Sequence, residues 1–301
     1  MAKTFKEPRE ARAIDHVVLP VESLEAARAR LSELGFTVAP DGLHPFGTEN
    51  ACIYFADGTF LEPLAVAQRE DCEATARKGN VFTERDQAWR FRNGENGFSA
   101  LAMATDDARR DHKAFRRAGF SAGKKLTFSR KFVDAKGRKG KAAFLLAFAG
   151  DLRAPDAFFF TCEKISAPKI DRGSLQVHAN CVTGIVTVVM SEQNPTDFQY
   201  LLQEVANNRN DEAHSFGLEI STANGSIDVM TPEGVDVHFG VKRTSAERGL
   251  RFEGLILSVD SIEALEQYLG GKSIAYREMH GRIIVDAAPG QGLFLAFQGP
   301  V

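Results

Sequence analysis

Apolar positions at Leu24, Ala27, Leu31 and Leu34 recur at helical spacing between Ser23, a residue suited to cap a first turn, and Gly35, one suited to end a last turn. The spacing predicts one amphipathic helix. Before it runs an apolar strand with Ile14, Val17, Val18 and Leu19. After it come Phe36 to Val38, a turn-rich loop "APDGLHPFGTENA" at 39–51, an alternating strand "CIYFA" at 52–56 and a strand "TFLEPLAV" at 59–66. The unit reads β-α-β-β-β.

A shift of 84 positions starts the same pattern again in "FSALAMATDDARRDHKAFRRAGF", 98–120, and places Gly35-Phe36 on Gly119-Phe120. Strands are expected at "LTFSRKF" and "KAAFLLAFA" around the turn "DAKGRKG", then at "DAFFFTCEK". A third unit begins at "CVTGIVTVVMS", continues through the helix "PTDFQYLLQEVAN", and has expected strands at "SFGLEIST", "GSIDVMT" and "VDVHFG". The fourth runs from "RFEGLILSVDSIEALEQYLGG" through "SIAYREM" and "GRIIVDAA" to "GLFLAFQG". Four copies organise the chain. The polar segment "KISAPKIDRGS" at 164–174 divides them into a first domain, 1–170, with modules at 13–66 and 97–164, and a second, 175–301, with modules at 181–240 and 251–299. Residues 67–96 form a charged, mostly helical insertion that would act as a lid or a bridge.

Composition removes several function classes. With 44% hydrophobic and 26% charged residues in 301, the chain can bury substantial cores. Its 37 Lys and Arg against 40 Asp and Glu give a net charge of -3, which offers no general attraction to nucleic acid or anionic membrane. No apolar run approaches a membrane span, and the charged start lacks the apolar core of a secretory signal. The four cysteines lack CxxC spacing, which points to reduced thiols and a cytoplasmic location. "GRKGKA" at 137–142 has the wrong spacing for a phosphate loop and reads as a hairpin turn.

One pair of residues stands apart from the scaffold: Asp15-His16, inside a strand built to be covered. A covered imidazole requires a hydrogen-bond partner or a metal. On the last strand of the same unit Phe60, Glu62 and Leu64 share a face, and a carboxylate between apolar neighbours is costly unless neutralised.

The paired βαβββ units, together with Asp15-His16, "HPFGTENA" at 44–51, "FLEPLA" at 60–65, "SR" at 129–130 and "HAN" at 178–180, resemble the vicinal oxygen chelate superfamily, and more narrowly its glyoxalase-like branch. The last motif departs from the usual form by carrying Ala179 where proline is common. The resemblance implies an α+β fold of four βαβββ modules paired into two glyoxalase/bleomycin-resistance-like domains. It also implies a divalent metal ion held by first-strand and fourth-strand side chains, and a small substrate that chelates it through neighbouring oxygens. His16 and Glu62 match two ligand positions, with Glu62 as ligand or general base. Ala100 stands where another first-strand ligand belongs, Glu163 lies near the fourth-strand level of the second unit, and His178 could complete the set by folding back. His44, Asn50 and Arg130 are candidate substrate contacts.

The leading expectation is a metal-assisted isomerase or lyase acting on a small vicinal-oxygen compound. The alternative is a non-catalytic small-molecule binding or sequestering protein with a degenerate metal site. No histidine stands in the first strands of the later pair, which disfavours an iron oxygenase. The scaffold also permits a homodimer.

Overall fold

The computed structural model describes residues 10–133, 139–166, 172–242 and 247–300. The first apolar run forms β1 (Ile14–Pro20), buried at every position. Such a strand has no solvent face, hence its near-continuous hydrophobicity. Ser23 caps α1 (Leu24–Glu33) by accepting from the Ala26 N–H. β2 (Gly42–Leu43) and β3 (Thr48–Asn50) form a short hairpin within the stretch expected to be loop, followed by β4 (Ile53–Tyr54) and β5 (Phe60–Val66).

The insertion consists of α2 (Arg69–Arg77) and α3 (Val81–Asn93). Arg90 fixes it to the sheet, donating to the Leu64 carbonyl at 2.7 Å and the Val21 carbonyl at 3.2 Å while paired with Asp86. Phe82 and Trp89 are thereby buried. The insertion is a wall, bonded in place.

The second module contributes β6 (Ala100–Thr105), α4 (Ala108–Ala118), β7 (Leu126–Val133), β8 (Lys139–Ala149) and β9 (Phe158–Ser166). The expected turn at 134–140 and the centre of the 164–174 linker fall largely outside the described residues. One sheet results, in the order β2-β3-β5-β1-β6-β9-β8-β7, with β4 on β5. β1 and β6 meet antiparallel at its middle, where His16 pairs with Ala102 and Val18 with Ala100. This reciprocity is the 84-residue repeat expressed as a pseudo-two-fold axis.

The later half contains β10 (Val182–Ser191), α5 (Gln199–Ala206), β11 (Asp211–His214), β12 (Gly217–Ser221), β13 (Ser226–Met230), α6 (Pro232–Phe239), β14 (Arg251–Val259), α7 (Ile262–Gly271), β15 (Arg277–Met279), β16 (Arg282–Val285) and β17 (Phe294–Gln298). Its sheet order is β11-β12-β13-β10-β14-β17-β16-β15. The last strand of the third module is β13, parallel to β10. "VDVHFG" is not a strand but most of α6, started by the Thr231 side chain accepting from Gly234 N–H, with Pro232 in the first turn, and ended by left-handed Gly240.

Alternating side chains send each sheet's two faces into different cores. Val17, Leu19, Leu101 and Met103 join Leu31 of α1, Phe115 of α4, Leu202 of α5, Leu265 of α7 and Leu255 of β14 in one cluster shared by both halves. Val18, Ala100, Ala102, Leu64 and Phe160 face the other way, with Phe82 of the insertion. The corresponding face of the second sheet is filled by α6, whose Phe239 lies 4.7 Å from the Phe294 ring. The corresponding face of the first sheet borders a cavity instead.

Candidate functional site

Successive residues of a strand normally face opposite ways, yet the Asp15 and His16 side chains meet. The pairing of β1 with β6 slips between Ile14 and His16, a bulge that turns Asp15 toward its neighbour. Asp15 Oδ2 lies 2.7 Å from His16 Nδ1, and Lys164 Nζ donates to Asp15 Oδ1 at 2.6 Å. The imidazole is held from behind, leaving Nε2 free to point inward.

The parallel register pairs Val18 with Glu62, which sets the carboxylate beside that ring. His16 Nε2 is 3.4 Å from Glu62 Oε2. The Asn50 amide donates to Glu62 Oε1, and its own carbonyl accepts from Arg130 Nη1 at 3.0 Å. His44 Nε2 lies 3.7 Å from Glu62 Oε1, with Nδ1 2.9 Å from Thr48 Oγ1. The β2–β3 hairpin is what delivers His44, Thr48 and Asn50 to one carboxylate.

Burial and charge assign protonation states. Burial alone would push the Glu62 carboxyl up, but the His16 hydrogen bond and nearby positive groups overcome it and hold it at about 2. Burial opposes charge on His16 as well; the bonds to Asp15 and Glu62 outweigh that cost and raise its pKa. His44 gains less from Glu62 than burial takes away, so it falls to about 4 and is neutral at pH 7. An imidazolium between two carboxylates therefore faces a neutral imidazole.

These groups line a small cavity of about 70 Å³ that opens to solvent at its mouth. Its walls are mainly aromatic. His16 stacks on Phe60 at 4.4 Å and meets Phe160 edge-on at 5.5 Å. Phe82 closes one side from the insertion, and Phe128 and Phe144 close another. Cys162 also lines it, and burial drives its thiol well above the ordinary range, which disfavours the thiolate.

Of the residues expected from sequence, His16, Glu62, His44, Asn50 and Arg130 are brought together. Glu163 and His178 are not. Glu163 accepts from the Ala108 N–H at 2.9 Å, capping α4. The counterpart of Glu62 is Phe160, because Ala102 pairs with Phe160 just as Val18 pairs with Glu62. His178 accepts from Thr37 N–H at 3.0 Å and bonds the Tyr54 carbonyl at 3.0 Å, tying the start of the later half to the first module. Sequence reasoning missed Lys164 and Arg172 as cavity residues. Lys164 was the nearest available signal, two residues past Cys162 on the same face of β9.

The four strand positions that would hold the implied metal are thus His16, Glu62, Ala100 and Phe160, and only two carry donors. The His44 and His16 imidazoles approach different oxygens of Glu62. Among the described residues no three His, Cys, Asp or Glu side chains are grouped to hold a metal ion. Arg130, bonded to the Asn50 that holds Glu62, adds positive charge beside the carboxylate. This donor set does not fit the four-ligand centre the resemblance implies.

Among solved structures, a hypothetical protein from Staphylococcus aureus superimposes with a TM-score of 0.64 at 12% identity, covering 95% of this chain and 99% of that one. A mutant 4-hydroxymandelate synthase from Streptomyces coelicolor gives 0.63 at 13% identity, covering 96% and 93%. The Mn(II)-bound glyoxalase from Novosphingobium aromaticivorans gives 0.52 at 11%, covering 97% and 83%. At these identities the likeness is one of fold. No curated protein sequence matches significantly. Residues 14–206 match the family model described as a glyoxalase-like domain. No helix among the described residues is long and apolar enough to cross a membrane.

Proposed function

We propose that this chain, which belongs to the glyoxalase-like domain family, is an acid–base enzyme of the isomerase or lyase kind that moves a proton on a small molecule in the first sheet's cavity. The observation that carries this reading is the Glu62 carboxylate set 3.4 Å from an imidazole that Asp15 supports from behind. His16 has a raised pKa and carries a proton at Nε2 near neutrality. It serves as hydrogen-bond donor to a substrate carbonyl oxygen, where negative charge grows as a neighbouring C–H is broken. Glu62 accepts that proton and returns it to another carbon, or retains it while a leaving group departs.

A carboxylate held at about 2 is a weak base until the substrate arrives. When the substrate oxygen takes the His16 Nε2–H, Glu62 loses the hydrogen bond that, together with the nearby positive groups, offsets its burial. Its basicity then rises in place, within a largely aromatic wall. The substrate makes its own base.

The test is hydrogen exchange. Small ketones, hydroxyketones and 2-oxoacids are incubated with enzyme in deuterated water and followed by proton NMR. Exchange of the hydrogen beside the carbonyl is expected for at least one compound, reduced at least about a hundredfold in Glu62→Gln and in His16→Gln. Exchange that survives Glu62→Gln refutes the reading. Exchange abolished by chelator and restored by one divalent ion refutes its metal-free form. No exchange across the panel favours the sequestering role.

A further inference from the structure

We propose that the cavity is built for an organic carboxylate with a flat apolar body, clamped by Arg130 from β7 and by Arg172 from the linker between the halves. This names the substrate class of the acid–base site above and rests on that reading for its catalytic consequence. Besides the His16 imidazolium, three cationic side chains line the cavity, Arg130, Lys164 and Arg172, against the carboxylates of Asp15 and Glu62. Lys164 is spent on Asp15 at 2.6 Å. Among the described residues neither arginine forms an ion pair with an acidic side chain. Arg130 gives N–H groups to Asn50 and to the Cys52 side chain, and no carboxylate is matched to the remainder of its five donors. Arg172 holds its guanidinium carbon 3.8 Å above the Tyr54 ring and 5.9 Å from the Phe60 ring.

A half-buried guanidinium without a carboxylate leaves strong donors unmatched, and a bidentate anion is the partner its geometry suits. The backbone makes room for it. A Cβ at Gly42 would lie 2.9 Å from Arg130 Nη1 and 2.7 Å from Asn50 Oδ1, so a larger residue there would displace both groups. Phe60, Phe128, Phe144 and Phe160 supply the apolar remainder of the lining. The clamp accounts for a feature that proton transfer alone leaves unused: an arginine brought from outside the module to the cavity wall.

The experiment is calorimetric titration of the full-length protein with acetate, benzoate and 2-naphthoate and with their neutral amides. At least one aromatic acid is expected to bind about tenfold or more tightly than its amide, and more tightly than acetate. Arg172→Gln and Arg130→Gln should each remove most of that preference while changing amide affinity less than about twofold. Gly42→Ala should weaken acid binding in the same sense without removing a charge. Equal affinity for acid and amide, a preference that survives both arginine substitutions, or no acid bound at about 10 mM overturns the proposal. Glu62→Gln separates the two readings: it abolishes exchange if Glu62 is the base, yet retains acid binding if the clamp is correct.

Discussion

Replacing Glu62 by glutamine keeps the shape of the side chain and removes its charge, so the variant isolates what the carboxylate contributes to stability. The folded protein lowers that carboxyl from an ordinary 4.5 to about 2. A depressed folded-state pKa stabilises the protein above the unfolded value and loses its effect as pH falls toward the folded value. By linkage the whole shift is worth about 3 kcal/mol, of which about 2 kcal/mol disappears between pH 6 and pH 3. His16 has the opposite sign. Its raised pKa stabilises fully below the ordinary 6.5 and is lost as pH rises through the folded value, so removing Glu62 also weakens the protein on the acidic side of neutrality. Urea unfolding of both proteins from about pH 6 to pH 3 measures the difference. The wild-type advantage should shrink steadily on acidification. Parallel stability profiles would show that the carboxylate is not held ionised by its neighbours, and the assignment of His16 as imidazolium would fall with it.

The remaining expectations follow from individual contacts. Imidazole NMR should find His44 neutral down to about pH 4 and His16 protonated above its ordinary 6.5; two histidines titrating together near 6.5 would contradict the burial and bonding described. Glu163→Ala removes the bond to the Ala108 N–H and should cost about 1 kcal/mol in urea unfolding with no change in ligand affinity; a loss of binding without a loss of stability would return Glu163 to the site. Phe239→Ala empties the fully buried contact with Phe294 and should cost about 3–5 kcal/mol. A cost below about 1 kcal/mol would mean that α6 is not packed into the second sheet.

The repeat of 84 residues and the clustering around His16 and Glu62 were legible because strand alternation and helix spacing are local properties. Register is not local. Glu163 was drawn to the site by its carboxylate, but only the pairing of β6 with β9 reveals Phe160 as the counterpart of Glu62. The segment 232–239 shows why short apolar alternation is ambiguous: Val235, Val237 and Phe239 fit a strand, while Thr231 and Pro232 form a helix start that the third module did not lead one to expect. The hairpin carrying His44 and Asn50 was hidden in a loop because its strands are two and three residues long. Arg172 carried no local signal, since its role depends on where a linker passes over Tyr54.

The backs of the two sheets share one hydrophobic seam, and Arg12 reaches across it to the Glu204 and Val205 carbonyls at 2.8 Å. A gene truncated at the linker would therefore yield a sticky fragment with its greasy side bare, because the half that holds His16 and Glu62 buries that side against the other half. Any attempt to miniaturise this protein would have to redesign that seam first.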